Sequence, residues 1–522
     1  MRAPVLILLL FISSNFGFPS TENDKWHPDL KPFEIAKQLE KELDPNYWRE
    51  NAQKTVKTHS EQKSNKKIAK NIIFFMGDGM SVTTISAARS YLDTTMASSL
   101  TFEDFPYTGM AKNYCVNKQT ADSACTATAY FTGVKTNYDM IGVTANVEFK
   151  DCEAGQVKEN QTPSIAKWAL DAGKGVGFVT TSPVTDASPV GLYGHTSNRN
   201  WECDVDVTKD GCDPSKTPDI AKQLIRGDVG SQLKVIMGGG RKEFRPNTTE
   251  DEEEKESYGR RQDGLDLIEE WKKAKGDKGT FVWNKKQLQN VDPTKTDFVL
   301  GLFEYGRMKY NLENVAEGDL LHEPSLSDMT SAALDILNNG KDEGFFLFVE
   351  GGLIDDAHHA AHANIALDET TELSKAVKVA LSKVNLDETL IVVTADHAHT
   401  MSFSGYPTRT ANILGTLGTK ADDGFDQMIL NYANGKGYEL HYDEKTGKRV
   451  DPSTFTHHFK LPYPTTVHRS SETHGGEDVS VYAMGPWAHL FSGNYEQNAI
   501  AHFMAHAACI GPGTWTCMNE ED

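Results

Sequence analysis

Four short apolar runs that each end abruptly in polar residues constrain how this chain can fold. The runs span residues 71–76, 176–180, 345–349 and 390–394. They are rich in β-branched and aromatic side chains, which is typical of strands buried on both faces of a parallel sheet. Stretches of helical composition separate them. We therefore predict an α/β fold with a large, mostly parallel central sheet flanked by helices.

The residues that follow these runs carry the side chains of metal ligands and polar catalytic groups. In parallel sheets, ligands bind beyond the carboxyl ends of the strands, so these side chains should converge on one rim. The candidates, in chain order, are Asp78, Asp186, Ser188, His195, Arg199, Glu350, Asp355, Asp356, His358, His359, Asp396, His397 and His399. Mixed oxygen and nitrogen donors suit zinc, whereas oxygen donors alone favour magnesium. Taken singly, each segment also fits an ordinary turn, a helix cap or a polar loop.

A candidate nucleophile lies in the segment TADSACTATAY, residues 120–130. Small residues of helical propensity follow Asp122 and Ser123, so Ser123 is predicted to open a helix. Free backbone N–H groups and the helix dipole favour a phosphoryl group at that position. A simple helix cap is the alternative reading. Because zinc can ionise a neighbouring serine hydroxyl, a nucleophilic role here requires neither a histidine base nor a GxSxG elbow.

A set of separated motifs places these segments in one known family. The motifs are NIIFFMGDGM, ADSACTATAYFTGVKTN, DASPVGLYGHTSNRNW, VEGGLIDDAHH, VTADHAH and ETHGGED. In these pieces and in their order, from about residue 26 to residue 517, the chain resembles the alkaline phosphatases, and the animal enzymes most closely. The resemblance implies an alkaline-phosphatase-like fold with a small crown insertion. It also implies metal-dependent hydrolysis of phosphate monoesters to an alcohol and inorganic phosphate, through a phosphoserine intermediate.

The resemblance further implies a role for each matching residue. Ser123 would be the nucleophile, and Arg199 would bind two phosphate oxygens through its planar guanidinium. The implied cofactors are two Zn²⁺ and one Mg²⁺ per subunit. The implied ligands are Asp78, Ser123, Asp396 and His397 for one zinc, Asp355, His359 and His474 for the other, and Asp78, Ser188 and Glu350 for magnesium. The residues expected to lie beside the ligands and tune them are Asp186, Asp356 and His399.

Two positions depart from the family pattern. Asp186 and Asp356 stand where the animal enzymes carry histidine. Carboxylates near the magnesium and the phosphate would attract cations and repel the phosphate dianion, so we expect weaker inhibition by phosphate than in a double-histidine variant. Two other readings stay open. One is a related hydrolase of phosphodiesters, sulfates or phosphonates, and the other is a secreted protein that binds metal or phosphate without turnover.

The expected organisation is one large catalytic domain with additions. It comprises a signal peptide at 1–17, an N-terminal arm at 18–70, the catalytic α/β domain at 71–405 and 471–517, a crown-like insertion at 406–470 and an acidic tail at 518–522. The resemblance makes residues 26–49 an arm that reaches toward the second subunit of a homodimer. The charged stretch at residues 250–278 is interpreted as a solvated helix.

Several features predict a secreted, extracellular protein. Residues 1–17 combine an arginine, an apolar run at 5–12 and then small or polar residues, which is typical of a secretory signal and too short to span a bilayer. The acidic C-terminus carries no GPI signal. A net charge of −21 disfavours nucleic acid or an anionic membrane as a partner, and the resemblance implies small phosphate monoesters as substrates. Asn160 and Asn247 begin glycosylation sequons, and Pro163 follows the first of them closely.

Cysteine usage agrees with an oxidising compartment. The chain has 7 cysteines, which fits disulfide formation outside the cytosol. Cys509 and Cys517 form a candidate local bridge, and the resemblance pairs Cys152 with Cys212. The cysteines left over are Cys115, Cys125 and Cys203. Because the total is odd, at least one thiol stays unpaired.

Overall fold

A computed structural model describes residues 37–318, 322–340 and 342–517. The expected signal peptide at 1–17, residues 18–36 of the expected arm and the acidic tail at 518–522 lie outside the described residues. The chain divides into two units, residues 1–53 and residues 54–522. In the first unit, the described residues form a 3₁₀ helix, Lys37–Leu43, and the beginning of helix α1, Pro45–Glu61.

The second unit contains 17 strands within the described residues. They are β1 Asn71–Gly77, β2 Tyr107–Lys112, β3 Gly175–Pro183, β4 Val235–Gly239, β5 Gly279–Val282, β6 Phe298–Leu302, β7 Phe345–Gly351, β8 Thr389–Ala395, β9 Ala398–His399, β10 Met401–Phe403, β11 Leu430–Gly435, β12 Tyr442–Asp443, β13 Lys448–Arg449, β14 Thr465–His468, β15 His474–Gly475, β16 Val479–Met484 and β17 Gly493–Glu496.

The helices alternate with these strands through most of the unit. They are α2 Val82–Leu92, α3 Ser123–Thr132, α4 Ile165–Asp171, α5 Ala187–Val190, α6 Asp204–Lys209, α7 Ile220–Arg226, α8 Leu267–Lys275, α9 Lys285–Gln289, α10 Asn311–Glu317, α11 Leu326–Leu337, α12 Leu353–His359, α13 Ala363–Lys383, α14 Gly437–His441, α15 Ala499–Ala508 and α16 Thr514–Cys517.

Ten strands form one central sheet, in the order β17-β2-β16-β8-β1-β7-β3-β4-β6-β5. The seven strands from β8 to β5 are parallel, whereas β16 runs antiparallel to both of its neighbours. The predicted α/β fold with a mostly parallel sheet is therefore confirmed. The four runs read from the sequence are β1, β3, β7 and β8, which lie side by side as β8-β1-β7-β3.

Helices cover both faces of the centre of this sheet. On one face, Phe74 of β1 packs against Phe131 of α3, with ring centroids 5.8 Å apart, and Phe348 of β7 packs against the same ring at 4.9 Å. On the other face, Gly77 at the end of β1 lies directly against Leu373 of α13. Strands β1, β7 and β8 are completely buried, which explains why their sequences are continuously apolar rather than alternating.

Residues 406–470, expected to be the crown, carry a smaller sheet. Strand β11 pairs with β10 and with β14 in a separate three-stranded sheet, and β12 pairs with β13. Tyr432 of β11 is buried and points back toward the helices that follow β7, where its hydroxyl meets His358. Within the described residues, no helix combines the length and the apolar character needed to cross a membrane.

The interpretation of residues 250–278 as a solvated helix is largely wrong. Within it, Leu267–Lys275 forms α8 and Gly276–Lys278 forms a 3₁₀ helix, whereas the residues before α8 form turns and isolated bridges. Arg261 is completely buried and forms an ion pair with Asp219 at 2.9 Å, and buried Arg241 binds Asp251 at 2.6 Å. These two arginines are paired inside the fold, because a buried guanidinium requires carboxylate partners.

Three disulfides join six of the seven cysteines. Cys509–Cys517 and Cys152–Cys212 are both present, as expected. The third bridge, which could not be assigned from the sequence, is Cys115–Cys125. The free thiol is the buried Cys203.

Candidate active site

The carboxyl ends of β8, β1, β7 and β3 meet at one edge of the sheet. Gly77 of β1 stands in register with Gly351 of β7 and with Ala395 of β8, so the polar residues after these strands are brought together. The turn after β1 is tight, since Gly79 has φ +67° and a Cβ there would lie 2.4 Å from the ring of His399. Only glycine fits that position without displacing the histidine.

Ser123 is the first residue of α3, as predicted, and is 3% exposed. Asp122 caps the helix by accepting a hydrogen bond from the backbone N–H of Cys125 at 3.2 Å. The Cys115–Cys125 bridge anchors the same turn. Ser123 Oγ lies 3.2 Å from Nε2 of His397, so the serine hydroxyl faces the groups that follow β8.

The first cluster of potential metal ligands surrounds Nε2 of His397. Asp396 Oδ2 lies 3.1 Å from this nitrogen and Asp78 Oδ1 lies 3.5 Å from it. The other carboxylate oxygen of Asp396, Oδ1, accepts a hydrogen bond from the backbone N–H of Gly79 at 2.9 Å. These residues and Ser123 are the four that were predicted to hold one zinc.

A second cluster adjoins the first. Asp355 and His359 lie one turn apart on α12, with 3.4 Å between Oδ2 and Nε2. His474 Nε2 is 3.3 Å from Asp355 Oδ1 and 3.1 Å from His359 Nε2. The rings of His474 and His397 stack with centroids 3.6 Å apart, so the two clusters are in direct contact.

Backbone carbonyls fix the orientation of the second cluster. His359 Nδ1 lies 2.7 Å from the carbonyl oxygen of Glu472, and His474 Nδ1 lies 2.8 Å from the carbonyl oxygen of Ala121. Each carbonyl accepts a hydrogen bond from Nδ1, so each ring presents its Nε2 atom to the cluster. This orientation is the one in which a histidine held through Nδ1 can bind zinc through Nε2.

The predicted magnesium ligands lie between β1, β3 and β7. Glu350 at the end of β7 is buried, and its Oε2 accepts a hydrogen bond of 2.5 Å from Thr180 Oγ1 of β3. Burial raises the pKa of Glu350 to about 8, with the hydroxyls of Thr180 and Ser188 opposing the shift. Ser188 is buried in α5. Glu350 stands in register with Met76, two residues before Asp78, and its charge helps to raise the pKa of Asp78.

The ionisation of the remaining carboxylates reflects their crowding. Burial, followed by repulsion from Asp396 and Asp355, raises the pKa of Asp78 well above its usual range. Burial also raises the pKa of Asp396 to about 6. Burial likewise opposes ionisation of Asp355, yet His359 and His399 hold its pKa well below the usual range. Such a concentration of mutually repelling buried acids is characteristic of a cation site.

A second, independent observation supports metal binding by these carboxylates and imidazoles. Two completely buried carboxylate oxygens, Asp78 Oδ1 and Asp396 Oδ2, receive no hydrogen bond. Buried polar atoms are almost always satisfied, so an unpaired pair of anionic oxygens around one imidazole nitrogen indicates a ligand to be bound there. The mixture of carboxylate and imidazole donors suits zinc.

Arg199 is connected to the start of α3 by Asp122, the residue that caps this helix. Its Nη1 is 3.2 Å from Asp122 Oδ2 and its Nη2 is 3.1 Å from Asp186 Oδ1. Burial lowers the pKa of the Arg199 guanidinium, but Asp186 and Asp122 outweigh that effect and raise it. The guanidinium is therefore charged and held by two carboxylates, one of which is the cap of the helix that begins with Ser123.

The two positions that depart from the family pattern have different surroundings. Asp186 caps α5 and contacts Arg199, as described above. Asp356, on α12, contacts Arg307, whose Nε is 3.0 Å from Oδ2, and accepts a hydrogen bond from the hydroxyl of Tyr310.

Sequence reasoning missed two residues, Glu472 and Tyr432, that contact the histidines around the predicted ligands. Glu472 is 1% exposed and accepts a 2.5 Å hydrogen bond from His399 Nδ1, while His399 Nε2 lies 2.6 Å from Asp355 Oδ1. His358 stacks on His399 at 4.8 Å and its Nδ1 is 2.8 Å from the hydroxyl of Tyr432. Glu472 belongs to the motif ETHGGED, but nothing in that motif alone indicates its partner.

Comparison with known proteins agrees with this geometry. The alkaline phosphatase family model matches residues 69–510. A membrane-bound alkaline phosphatase of Bombyx mori is 44% identical over 513 residues, which is 95% of this chain and 92% of that protein. The tissue-nonspecific alkaline phosphatase isozyme of Rattus norvegicus is 42% identical over 495 residues, which is 92% of this chain and 91% of that protein.

Solved structures agree at the level of the fold. The crystal structure of Thermus thermophilus alkaline phosphatase superposes with a TM-score of 0.61 at 21% identity, covering 86% of this chain and 93% of that chain. The sequence matches extend across the same catalytic region that carries Ser123 and both ligand clusters. This chain belongs to the alkaline phosphatase family, a family of phosphomonoester hydrolases.

Proposed function

We propose that this chain hydrolyses phosphate monoesters with Ser123 as the nucleophile and Arg199 as the residue that binds the phosphate oxygens. The position of Ser123 is the main support for the proposal. Ser123 is the first residue of α3, and its hydroxyl lies 3.2 Å from Nε2 of His397, beside carboxylate oxygens that have no hydrogen-bond partner. The activity of the relatives supports the same reaction.

The reaction has two displacements at phosphorus. First, Ser123 Oγ gives up its proton and forms a bond to phosphorus, while the ester P–O bond breaks and the leaving oxygen takes up a proton and departs as the alcohol, which gives phosphoserine. Then a water oxygen forms a bond to phosphorus, the bond to Oγ breaks, inorganic phosphate departs and the serine regains a proton. In both steps the guanidinium of Arg199 and the N-terminus of α3 stabilise charge on the non-bridging oxygens. Asp122 keeps these two elements together, because it caps α3 and binds Arg199.

The proposed cofactors are two zinc ions and one magnesium ion per subunit. When bound, they would neutralise the charge of an ionised serine and of a departing alkoxide, which favours alkaline conditions. The proposed zinc ligands are Asp78, Ser123, Asp396 and His397 at one position and Asp355, His359 and His474 at the other. The proposed magnesium ligands are Asp78, Ser188 and Glu350. The unpaired oxygens of Asp78 and Asp396 support the first zinc position.

We further propose that the protein is secreted and acts as a homodimer. Three disulfides support an extracellular location, since disulfides persist in oxidising compartments. The homodimer rests on the resemblance to the family. Sedimentation of the purified full-length protein would test it, with a species of one chain mass contradicting the proposal.

The experiment that tests the function is phosphate release from phenyl phosphate across pH by the wild type and by Ser123→Ala, with zinc and magnesium counted on the same samples. We expect alkaline, zinc-dependent turnover that collapses in the variant. Acid quenching of the wild type during turnover should trap phosphate on residue 123. A matched control is Ser164→Ala, another buried serine at the start of a helix, whose hydroxyl instead binds the carbonyl of Leu192.

The outcomes separate the alternatives. Zinc-loaded wild type without turnover would indicate a binding protein. Faster hydrolysis of a phosphodiester or a sulfate ester than of phenyl phosphate would indicate a related hydrolase of different specificity. Equal activity of Ser123→Ala and wild type would exclude Ser123 as the nucleophile.

A further inference from the structure

A buried histidine that is not a predicted ligand lies behind the second ligand cluster. His358 is completely buried and stands one position before the predicted zinc ligand His359 on α12. Its ring stacks on the ring of His399, with centroids 4.8 Å apart and an angle of 28° between the planes. His399 Nε2 in turn lies 2.6 Å from Oδ1 of the predicted ligand Asp355. His358 therefore reaches the ligand Asp355 through one imidazole ring.

The stacking contact restrains a motion of His399 that its hydrogen bonds leave open. Both ring nitrogens of His399 are bound, Nε2 to Asp355 and Nδ1 to Glu472 at 2.5 Å. Imidazole nitrogens make their hydrogen bonds near the plane of the ring, so these bonds resist rotation within the plane better than tilting out of it. A second ring stacked on one face opposes the tilting. The orientation of His358 consequently affects how Asp355 is held.

A tyrosine of the smaller sheet, in which β11 pairs with β10 and β14, fixes the orientation of His358. The hydroxyl of Tyr432, on β11, lies 2.8 Å from His358 Nδ1, and Thr84 Oγ1 of α2 lies 3.0 Å from Nε2. The Thr84 hydroxyl is itself held 2.9 Å from Ser81 Oγ. Tyr432 and Thr84 are both buried, so the loss of either hydroxyl would leave a buried ring nitrogen without that hydrogen bond.

The same strand also reaches His399 by a second path. The backbone N–H of Ala433 donates to Thr400 Oγ1 at 3.3 Å, and the Thr400 hydroxyl donates to Glu472 Oε1. Through its other carboxylate oxygen, Glu472 accepts the hydrogen bond from His399. Strand β11 therefore supports the imidazole of His399 both at its face and at its edge, through two adjacent residues.

We propose that Tyr432 is a positioning residue for the metal site and acts through the stacked pair of His358 and His399. The inference rests on the proposed function, because it concerns the zinc ions of the same site. It also assigns a role to residues 406–470, which contribute none of the predicted ligands. This segment supports the second ligand cluster from behind, so that zinc binding depends on a side chain of the smaller sheet.

The test is Tyr432→Phe, with zinc retained per chain measured in competition with a chelator and with kcat and KM measured alongside. Phenylalanine keeps the aromatic ring and the backbone pairing with Met401, but it removes the hydroxyl that binds His358. Substitution of a group that directly supports a metal ligand weakens metal binding roughly 10- to 100-fold. Because Tyr432 acts from further away, we expect zinc affinity to fall about three- to ten-fold.

The matched control is Tyr463→Phe. Tyr463 is a buried tyrosine of the same segment, and its hydroxyl donates to the carbonyl oxygen of Leu414 at 2.9 Å rather than contacting a histidine. The control should retain zinc like the wild type. An equal loss of zinc in the two variants would overturn the inference, because a general loosening of the smaller sheet would then explain it. Wild-type zinc retention by Tyr432→Phe would overturn it as well.

A double-mutant cycle separates positioning from general destabilisation. Glu472→Gln weakens the support at the edge of His399, so adding Tyr432→Phe to it should cost less zinc affinity than Tyr432→Phe costs alone. Additive losses would show that Tyr432 acts independently of His399 and would overturn the proposed path. A wild type that retains zinc but releases no phosphate would contradict the proposed function alone, and the zinc comparison would still decide the role of Tyr432.

Discussion

Replacing Glu472 by glutamine should loosen the metal site although Glu472 is not itself a predicted ligand. Its Oε2 accepts the Nδ1 proton of His399 at 2.5 Å, and His399 Nε2 reaches the predicted ligand Asp355 at 2.6 Å. Burial opposes protonation of His399, but Asp355 and Glu472 together raise its pKa to about 10. His399 is therefore an imidazolium that bridges two carboxylates and fixes the orientation of Asp355.

The magnitude follows from what the substitution removes. A glutamine can keep its carbonyl oxygen on the backbone N–H of Thr400, which Glu472 now binds at 2.8 Å. Its NH₂ group then faces His399, which must become neutral to accept a hydrogen bond from it. Losing one charge-assisted hydrogen bond costs about 1.5–3 kcal/mol. If this free energy is expressed in zinc binding, the affinity falls roughly 10- to 150-fold.

The assay is competition with a chelator, read as zinc retained per chain, with phosphatase activity followed in parallel. The matched control is Glu439→Gln, which breaks a similar carboxylate–histidine contact with His468 at 2.7 Å on an exposed surface. The control should retain zinc like the wild type. Zinc retention by Glu472→Gln within about two-fold of the wild type would refute the reasoning, since the free-energy cost would then not reach the metal site.

Three further predictions address stability, pH and inhibition. Removing the Cys115–Cys125 bridge with alanine at both positions should lower the free energy of unfolding by about 2.7 kcal/mol, given the separation of 10 residues, and an unchanged denaturant midpoint would contradict this. Burial raises the pKa of Glu369 to about 8, so its contribution to stability is present at pH 4 and is lost as pH rises to 8. Glu369→Gln should therefore match the thermal midpoint of the wild type near pH 5 and exceed it near pH 9, and parallel midpoints would argue against the shift. Asp186→Asn should free one edge of Arg199 and strengthen competitive inhibition by phosphate about two- to five-fold, which a set of inhibition constants on both proteins would check.

The sequence by itself determined the strands and the residues at their ends. Runs such as residues 345–349 are buried on both faces, so they must be continuously apolar, and that pattern is visible without any tertiary information. The polar residues after them, such as Asp78 and Asp396, lie together because parallel strands end at one edge of a sheet. The opening of α3 at Ser123 was equally local, since a cap and a run of small residues are read within one turn.

Only the tertiary structure decided which partners these residues have. Glu472 and His399 are 73 residues apart, and their contact arises because β15 pairs with β9. The contacts of Asp356 with Arg307 and Tyr310 likewise join residues that are 49 and 46 positions apart in the sequence. Residues 250–278 were interpreted as a solvated helix because their composition shows only how many charges are present. Whether a charged side chain contacts water or a buried counter-ion depends on segments that are distant in the sequence. These contacts form only when the chain folds.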